Sequence, residues 1–234
     1  NEIPYLEIFL KYISKYHTFI SYSEAVQKII NNEVDKPYVC LSSDDGFKNN
    51  LNAVKTFHKH NIKCCFFINP DSIGLTNPIK IRDYCNNKLM FPSNEFMNWK
   101  DIEFLISKGH EIGNHTISHI NVGNTKYVDL KLNLKKSFSV IKKKYADLKH
   151  FAYPFGKLND FNSGAFNLVF DLGHFSCASA TRGCHMVDKK FEYNELLIKR
   201  DLVIFNKNLN HIKYFLIKNS KNCRVNTKYF KDLP

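Results

Sequence analysis

The sequence has few of the residues that mark linkers, repeats and membrane spans. Its 234 residues include only nine glycines and seven prolines, too few for a chain rich in flexible linkers. No segment recurs at a fixed period, which excludes solenoid and propeller architectures. The longest apolar runs, such as CCFFI and LVIF, are far shorter than the roughly 20 residues that a membrane-spanning helix needs. With 44% hydrophobic residues the chain can bury one substantial core, and we expect a single domain over residues 1–234.

Cysteine is present but lacks the spacing of a disulfide framework or a zinc ribbon. The seven cysteines are odd in number and contain no CxxC pair, and three of them lie in apolar runs where a thiol packs as a small hydrophobe. This usage favours a reducing compartment, and we expect a cytoplasmic protein. The sequence shows no secretory signal, but it begins at Asn1 rather than Met, so a segment upstream of Asn1 is compatible with it.

Acidic residues are outnumbered, since 34 Lys and Arg stand against 22 Asp and Glu and give a net charge of +12. Such a balance can favour nucleic acid, an acidic membrane surface or a phosphorylated substrate. Apolar residues recur at helical spacing through the main basic segment, KKSFSVIKKK. This spacing predicts a helix whose lysines lie on the solvated side. No aromatic and basic recognition motif accompanies the charge, and we expect no nucleic-acid partner.

Strand and helix patterns alternate along the chain. Buried strands are predicted at YVCLSSD, IKCCFFIN, HEIGNH, HFAYP, HFSCASA and LLIKRDLVIF, and helices at residues 47–60, 99–109, 125–145, 161–171 and 208–217. Residues 70–98 are predicted to form a long irregular excursion. The alternation predicts an α/β protein with a mainly parallel sheet, open or closed into a barrel, whose working groups lie at the carboxyl ends of the strands.

Two adjacent acids follow the first of these strands, in the segment SSDDGF at residues 42–47. Like charges this close raise each other's cost of ionisation and burial, so the pair needs an explanation. Asp44 and Asp45 could form a turn or a helix cap, the commoner role of acids at a strand end. They could also serve a metal site, with one carboxylate held ionised by the metal and the other available as a base.

Two histidines four residues apart follow another predicted strand, in HTISH. One helical turn between His115 and His119 would point both imidazoles the same way, and imidazole is the commonest metal ligand. Alone, such a pair is more often solvated or packed, and YPFG at residues 153–156 is alone usually a turn. Together, each after a strand, the motifs favour a three-ligand metal site with positions open for water and substrate.

The ordered motifs SSDDGF, GHEIGNHTISH, FAYPFG and LIKRDLV resemble those of the polysaccharide deacetylases of the NodB-homology type, also called carbohydrate esterase family 4. The resemblance runs from about Pro37 to Ile204. It implies a distorted (β/α) barrel of about seven parallel strands. It also implies a hydrolase that removes an N-acetyl group from an amino sugar or glycan by attack of a metal-activated water. The implied cofactor is a single divalent metal ion, usually zinc.

The resemblance gives a role to each residue that matches a motif. Asp44 would be the general base. The metal ligands would be Asp45, His115 and His119. The substrate would be contacted by residues of FAYPFG, namely Tyr153, Pro154 and Phe155. Of these, Phe155 falls where the family uses a backbone N–H to hold the oxyanion, so only its main chain would act in this way. The neighbours that shape the site would be Asn114 and Thr116.

Besides Ser43, which stands where an aromatic residue usually precedes the acid pair, this chain departs from the family pattern at two points. Ala152 stands where many relatives carry an arginine that pairs with the base, and we expect Arg200 to replace it, with a plain ion pair as the alternative. The last motif lacks the histidine that often serves as the general acid. We favour His185 for that role over His174, and an ordinary loop histidine is the alternative. Arg182, in the same loop as His185, could contact a phosphate or carboxylate of the substrate or lie exposed without a ligand.

Three functions fit the sequence. The first is an N-deacetylase for an acetylated amino sugar or glycan, where a nucleotide- or lipid-linked sugar suits a cytoplasmic chain and a wall or capsule polymer suits a secreted one. The second is a deacylase of a small non-polymeric amide that uses the same metal centre. The third is a catalytically silent glycan-binding or assembly module. The intact acid and histidine pairs argue against this third function, while Ala152 and the unlocated acid argue for it.

Overall fold

The computed structural model describes residues 2–186, 190–205 and 207–223. Its α-helices are α1 (Ile3–Ile13), α2 (Tyr22–Asn31), α3 (Val54–Lys59), α4 (Pro78–Tyr84), α5 (Trp99–Ser107), α6 (Tyr127–Lys144), α7 (Ser163–Asp171) and α8 (Leu209–Ser220). Its strands are β1 (Thr18–Phe19), β2 (Tyr38–Val39), β3 (Leu41–Ser43), β4 (Cys64–Ile68), β5 (Glu111–Asn114), β6 (His150–Ala152), β7 (Ser176–Ala178) and β8 (Leu197–Ile198). Short 3-10 segments lie at Lys48–Ala53, Leu158–Asp160 and Tyr193–Glu195, and a π-helical turn lies at Cys85–Leu89.

The main sheet has six parallel strands in the order β3-β4-β5-β6-β7-β8. It curls into a half-barrel, which confirms the predicted distorted (β/α) barrel, with six strands in this sheet rather than seven. β1 and β2 form a separate two-stranded parallel sheet. Because the six strands run the same way, their carboxyl ends gather at one edge, where the predicted site residues follow them.

Most residues of the main sheet are buried because helices pack on both of its faces, whereas the outermost strand β3 is only partly buried. All five residues of β4 are buried, and its side chains alternate between two hydrophobic clusters. Phe66 and Ile68 pack on the outer face with α1, α3 and α5. Cys65 and Phe67 pack on the other face with α2, whose Tyr22 belongs to a cluster that also reaches β6, β7 and β8. Helix α2 therefore packs against the inner face of the curled sheet.

The basic segment behaves as its pattern predicts. Helix α6 buries Leu130, Leu134 and Ile141, while the lysines of this helix are exposed. The positive charge there is a solvated helix face, as expected. Among the described residues, no helix combines the length and the apolar character that crossing a bilayer would require.

The predicted helices at residues 99–109, 125–145, 161–171 and 208–217 are confirmed as α5, α6, α7 and α8. The helix predicted at residues 47–60 is instead a 3-10 segment followed by the short α3. The strand predicted in LLIKRDLVIF is also shorter than expected, because its pairing with β7 ends at Ile198.

The prediction of an irregular excursion at residues 70–98 is wrong for residues 78–89, which are helical, and is confirmed for the turns and loops on either side of them. Helix α4 begins at Pro78 after Asn77, whose side chain accepts hydrogen bonds from the first-turn backbone N–H groups. The π-helical turn follows directly. Buried side chains from both segments pack into a small core of their own, formed by Ile81, Cys85, Leu89 and Phe96.

Candidate active site

One carboxylate and two imidazoles converge at the carboxyl edge of the main sheet. Asp45 Oδ1 lies 3.6 Å from His115 Nε2 and 3.5 Å from His119 Nε2. One potential ligand atom from each residue lies within 4.8 Å of the other two. Asp45 comes from the loop after β3, and both histidines come from the loop after β5. The structure thus brings together the three residues that the sequence motifs single out, and we refer to them as the three-ligand cluster.

Each histidine of the cluster is oriented by a backbone carbonyl. His115 Nδ1 donates to the carbonyl of Ala152 at 2.7 Å, and His119 Nδ1 donates to the carbonyl of Lys88 at 2.8 Å. Because a carbonyl only accepts, each Nδ1 carries a proton, and in the neutral form of each imidazole the lone pair is on Nε2, on the side of Asp45. Burial, with a smaller contribution from His115, lowers the pKa of His119 to about 3, so this imidazole is neutral at pH 7. Neutral imidazoles oriented in this way are suited to bind a metal.

Asp45 is the member of the cluster whose backbone conformation and buried oxygen are energetically unfavourable. Its φ of +70° lies in the left-handed region, and its Oδ1 is buried without a hydrogen-bond partner among the described residues. Burial raises its pKa to about 6; His115 opposes this shift and Asp44 adds to it. When both imidazoles are neutral, a buried carboxylate oxygen that faces their Nε2 lone pairs is unfavourable unless a cation lies between them. The donor set therefore fits a divalent metal, and two histidines with one aspartate suit zinc.

The neighbouring acid, Asp44, forms an ion pair with Arg200, which follows the last strand of the main sheet, β8. The guanidinium of Arg200 donates to Asp44 Oδ1 at 2.7 Å and to Oδ2 at 2.9 Å, a bidentate pair. Burial raises the pKa of Asp44, but Arg200 and the nearby His115 outweigh it, and the pKa lies below its ordinary value. Asp44 is therefore ionised at neutral pH. Since Asp44 follows β3 and Arg200 follows β8, the pair bridges the first and last strands of the main sheet.

Arg200 is itself fixed by its surroundings. Its Nε donates to the carbonyl of Ser179 at 3.0 Å, and one Nη donates to Ser42 Oγ at 3.3 Å. The guanidinium lies 5.1 Å from the centre of the Phe67 ring, and the side chain is only 15% exposed. Burial lowers the pKa of Arg200, but Asp44 outweighs it and the pKa is raised. Arg200 thus contacts the acid that Ala152 cannot reach, and its part in catalysis stays a prediction.

Two buried amides hold the loop that carries the histidines. Asn69, directly after β4, donates from Nδ2 to the carbonyls of His115 and Thr116. Asn114 Oδ1 accepts from Ser137 Oγ at 2.5 Å and from the backbone N–H of Thr116 at 3.1 Å. Thr116 lies in the left-handed region with a φ of +67°. These contacts fix the turn between the strand end and the imidazoles, as expected for Asn114 and Thr116.

The sequence motifs do not identify Asn69 or the two carbonyls that orient the imidazoles. Asn69 carried a usable signal, because it is a polar residue that directly follows the buried strand β4. The carbonyls of Ala152 and Lys88 carried none, because a backbone acceptor has no side-chain signature. Lys88 in addition lies in the excursion that the sequence predicted to be irregular.

The YPFG segment turns beside the cluster. Phe155 has a φ of +62° and is 39% exposed, and its ring centre lies 4.8 Å from that of His119. Tyr153 belongs to the core instead: its ring stacks on Phe161 at 4.2 Å, and its hydroxyl donates to the carbonyl of Gly156. Pro154 is buried. Of the three predicted substrate contacts, the structure brings Phe155 to the edge of the site and places Tyr153 in the hydrophobic core.

Arg182 and His185 make their contacts with α8 and with the segment that follows β8. The Arg182 guanidinium is 5.7 Å from the ring centre of Phe215 in α8. His185 Nε2 accepts from the backbone N–H of Lys199 at 2.9 Å, and burial lowers the pKa of His185 to about 4. In the contacts of the described residues, neither side chain reaches the three-ligand cluster. The predicted roles of His185 in proton donation and of Arg182 in substrate binding therefore stay predictions, and these contacts do not support them.

His174, the second choice for the acid, is buried behind β5. Its Nδ1 donates to the carbonyl of Val169 at 3.0 Å, and its Nε2 accepts from Asn114 Nδ2 at 3.3 Å. Burial lowers its pKa to about 4. Both ring nitrogens are thus engaged in hydrogen bonds, which suits a residue that supports Asn114 more than one that contacts substrate.

Comparison with known families gives a match over most of the chain. A family model for polysaccharide deacetylases matches residues 31–172, which include all the residues of the three-ligand cluster and its neighbour Asp44. No curated protein sequence matches the chain significantly.

Several solved structures share the fold. The Streptococcus pyogenes deacetylase PplD in complex with acetate has a TM-score of 0.67 at 16% identity, covering 92% of this chain and 84% of that one. IcaB from Ammonifex degensii has a TM-score of 0.66 at 14% identity, covering 87% and 82%. A de-N-acetylase from Aggregatibacter actinomycetemcomitans has a TM-score of 0.61 at 16% identity, covering 90% and 86%. Similarity at this level of identity shows a common fold.

Proposed function

The chain belongs to the polysaccharide deacetylase family, and we propose that it is a metal-dependent hydrolase that removes an N-acetyl group from an amino sugar or from a glycan that carries one. The main support for the proposal is that the three-ligand cluster and an ionised carboxylate lie side by side at the carboxyl ends of the strands. The three-ligand cluster supplies donors for a metal, and beside it Asp44 is held ionised by Arg200. A module that only bound glycan would need neither the unpartnered carboxylate oxygen of Asp45 nor an ionised base next to it.

The metal would be held by Asp45 Oδ1 and by Nε2 of His115 and His119. When bound there, a divalent cation supplies Lewis-acid polarisation of the acetyl carbonyl and a lowered pKa for water. Asp44 accepts the proton of the attacking water on a carboxylate oxygen. The bidentate Arg200 uses one lone pair of each Asp44 oxygen, which fixes the carboxylate plane and leaves the remaining lone pairs for the water.

The developing oxyanion and the leaving amine need their own partners. The backbone N–H of Phe155 is our candidate donor to the oxyanion, because its left-handed turn sets this residue beside His119. The amine leaves poorly unless it is protonated. His185 is neutral at pH 7 with a pKa of about 4, so the structure favours it less as the acid than the sequence did. The carboxyl of Asp44 can instead return to the nitrogen the proton it took from water.

The proposal is tested by acetate release and by metal removal. The purified protein is expected to contain about one divalent ion per chain and to release acetate from an N-acetylated amino-sugar oligomer. Chelation is expected to abolish acetate release and added zinc to restore it, because the proposed chemistry depends on a metal bound by the three-ligand cluster. Acetate is measured by NMR and the metal by elemental analysis. Failure of the folded, metal-loaded protein to deacetylate any N-acetylated sugar would refute the activity, and full activity without metal would refute the metal dependence.

A second test concerns Arg200. Arg200→Met is expected to lower kcat/KM by about 10-fold to 100-fold and to move the acidic limb of its pH profile upward. The sign follows from the ion pair: the arginine favours ionised Asp44, so its loss raises the pKa of that carboxyl and the base is protonated at higher pH. Arg200→Lys keeps the charge but not the bidentate geometry, so a smaller pH shift is expected.

The matched control for this test is Arg82→Met, at an exposed arginine of α4. Each variant is checked by urea unfolding before its pH profile is measured, because loss of a buried partner can also destabilise the fold. An unchanged acidic limb in a folded Arg200→Met protein would contradict the assigned role and leave Arg200 as a structural ion pair.

A further inference from the structure

The end of helix α8 lies against the loop that follows β7. Asn222, just after the helix, donates from its side-chain Nδ2 to the carbonyl of Arg182 in the loop at 2.7 Å. Further along, the backbone N–H of Met186 donates to the carbonyl of Cys223 at 3.1 Å. These two contacts join the loop to the end of the helix on both sides of residues 183–185.

Gly183 makes this close approach possible. Its φ of +146° lies in the region that favours glycine, and a Cβ at this position would collide with the carbonyl oxygen of Asn222. Lys199 completes the contact, because its Nζ donates to the carbonyl and to Oδ1 of Asn222, both at 3.1 Å. The two segments are therefore packed backbone against backbone at residues 183 and 222.

Each of these two contact residues is followed by a cysteine. Cys184 follows Gly183, and Cys223 follows Asn222. Cys184 Sγ donates to the carbonyl of Ser220 at 3.4 Å, so the thiol points toward the segment that carries Cys223. Burial raises the pKa of Cys184, and the neighbouring Cys223 raises it further. The two thiols thus lie on facing segments whose backbones are within the range that a disulfide can bridge.

The pair differs from the other cysteines in its accessibility. Cys184 and Cys223 are partly exposed. Cys40 is also partly exposed, but burial of its thiol raises the pKa to about 12, so it holds almost no reactive thiolate. The four buried thiols are Cys64, Cys65, Cys85 and Cys177. A reagent in solution can therefore reach both members of the pair in the folded protein.

We propose that Cys184 and Cys223 form a redox-active pair, which closes to an intramolecular disulfide by exchange with a low-molecular-weight disulfide. The thiolate of one cysteine attacks a sulfur of the small disulfide, forming a mixed disulfide and releasing one small thiol. The other cysteine then attacks the protein sulfur of the mixed disulfide and releases the second small thiol. The two protein thiols are oxidised, the small disulfide is reduced, and two protons pass from the protein thiols to the small ones.

The disulfide would stabilise the segment that carries Arg200. The backbone N–H of Arg200 donates to the carbonyl of Thr181 at 3.1 Å. The backbone N–H of Lys199 donates to His185 Nε2 at 2.9 Å. A covalent link between the β7 loop and the end of α8 closes a loop of chain that includes β8 and this segment. Unfolding of this part of the structure then becomes less favourable, and the redox state sets the stability of the partner of Asp44.

The test is a thiol count combined with a thermal melt, and neither measurement requires an active enzyme. The protein is incubated with oxidised glutathione at about pH 8.5, where thiolate forms, and its thiols are then counted after denaturation. The parent is expected to lose two of its seven thiols, and peptide mapping without reduction is expected to join Cys184 to Cys223. The midpoint of thermal unfolding is expected to rise by about 5 °C or more and to return on reduction.

Cys184→Ser and Cys223→Ser are each expected to abolish the rise in midpoint. The matched control is Cys40→Ser, at a partly exposed cysteine outside the pair, which is expected to keep both the loss of two thiols and the rise. The proposal is overturned if the parent keeps all of its thiols. It is also overturned if Cys184 or Cys223 remains joined to glutathione, to another cysteine or to a second chain. A disulfide at the expected position without any rise in midpoint would refute the stabilisation of the Arg200 segment.

Discussion

Asp44→Asn is expected to lower turnover by about 10²-fold or more while the protein keeps its metal. An amide has the shape of the carboxylate but cannot accept a proton, so the step assigned to Asp44 is lost. Metal binding is expected to persist, because the cluster uses Asp45 Oδ1 and the two imidazoles and not Asp44. The measurement is kcat for acetate release together with metal content, both on the same preparation.

The same substitution also removes the partner of Arg200. Breaking a fully buried ion pair typically destabilises a protein by about 3–5 kcal/mol, and a smaller cost is expected here because Asp44 is 32% exposed, so the variant is compared with its parent by urea unfolding and assayed well inside the folded range. Asp83→Asn, at an exposed acid of α4, is the matched control and is expected to keep parental turnover. Folded, metal-loaded Asp44→Asn protein that turns over at close to the parental rate would show that the base is another group.

His119→Ala is expected to have the opposite signature, with loss of metal before loss of fold. Removal of one of three protein ligands is expected to weaken zinc binding by at least about 10²-fold, more than removal of a supporting hydrogen bond does. Activity at limiting zinc falls with the metal. The fold is expected to persist, because the hydrophobic clusters of the sheet do not include this histidine. Zinc affinity is measured by competition with a chromophoric chelator, and the fold by circular dichroism.

His58→Ala, at an exposed histidine of α3, is the matched control and is expected to bind zinc as the parent does. His115→Ala is expected to repeat the result of His119→Ala, because both Nε2 atoms lie at similar distances from Asp45 Oδ1. Full metal occupancy in a variant that lacks both imidazoles would place the metal elsewhere. Comparison of the aspartate and histidine series thus separates the base from the ligands.

The three-ligand cluster could be predicted from the sequence because of a rule of parallel sheets. Asp45 follows one buried strand, and His115 and His119 follow another, and carboxyl ends of parallel strands meet at one edge. The pattern of apolar residues identified those strands well. The residue pattern does not predict the curl of the sheet. This curl determines how close the first strand, β3, comes to the last strand, β8. The contact of Arg200 with Asp44 depends on that curl, so strand patterns alone could not establish it.

Other parts of the site had weaker signals or none. Helix α4, which precedes Lys88 in the excursion, begins with a helix cap and a proline, Asn77 and Pro78, and these are recognisable start signals for a helix. The π-helical turn after it has no sequence period of its own to detect. The loop of Arg182 and His185 is held by contacts with α8 and with Lys199, and a position beside a strand end does not predict such contacts.

The left-handed backbone of the site has a consequence for how this barrel could change over generations. Asp45, Thr116, His119 and Phe155 all have φ between 53° and 70°, a conformation that costs an L-residue about 1 kcal/mol or more. Glycine or asparagine at these positions would relax the chain, and at Asp45 or His119 it would also remove a ligand. Random drift without selection for chemistry would therefore gain stability by erasing the site while leaving the barrel intact. The four left-handed residues are therefore what the proposed catalysis, rather than the fold alone, would require.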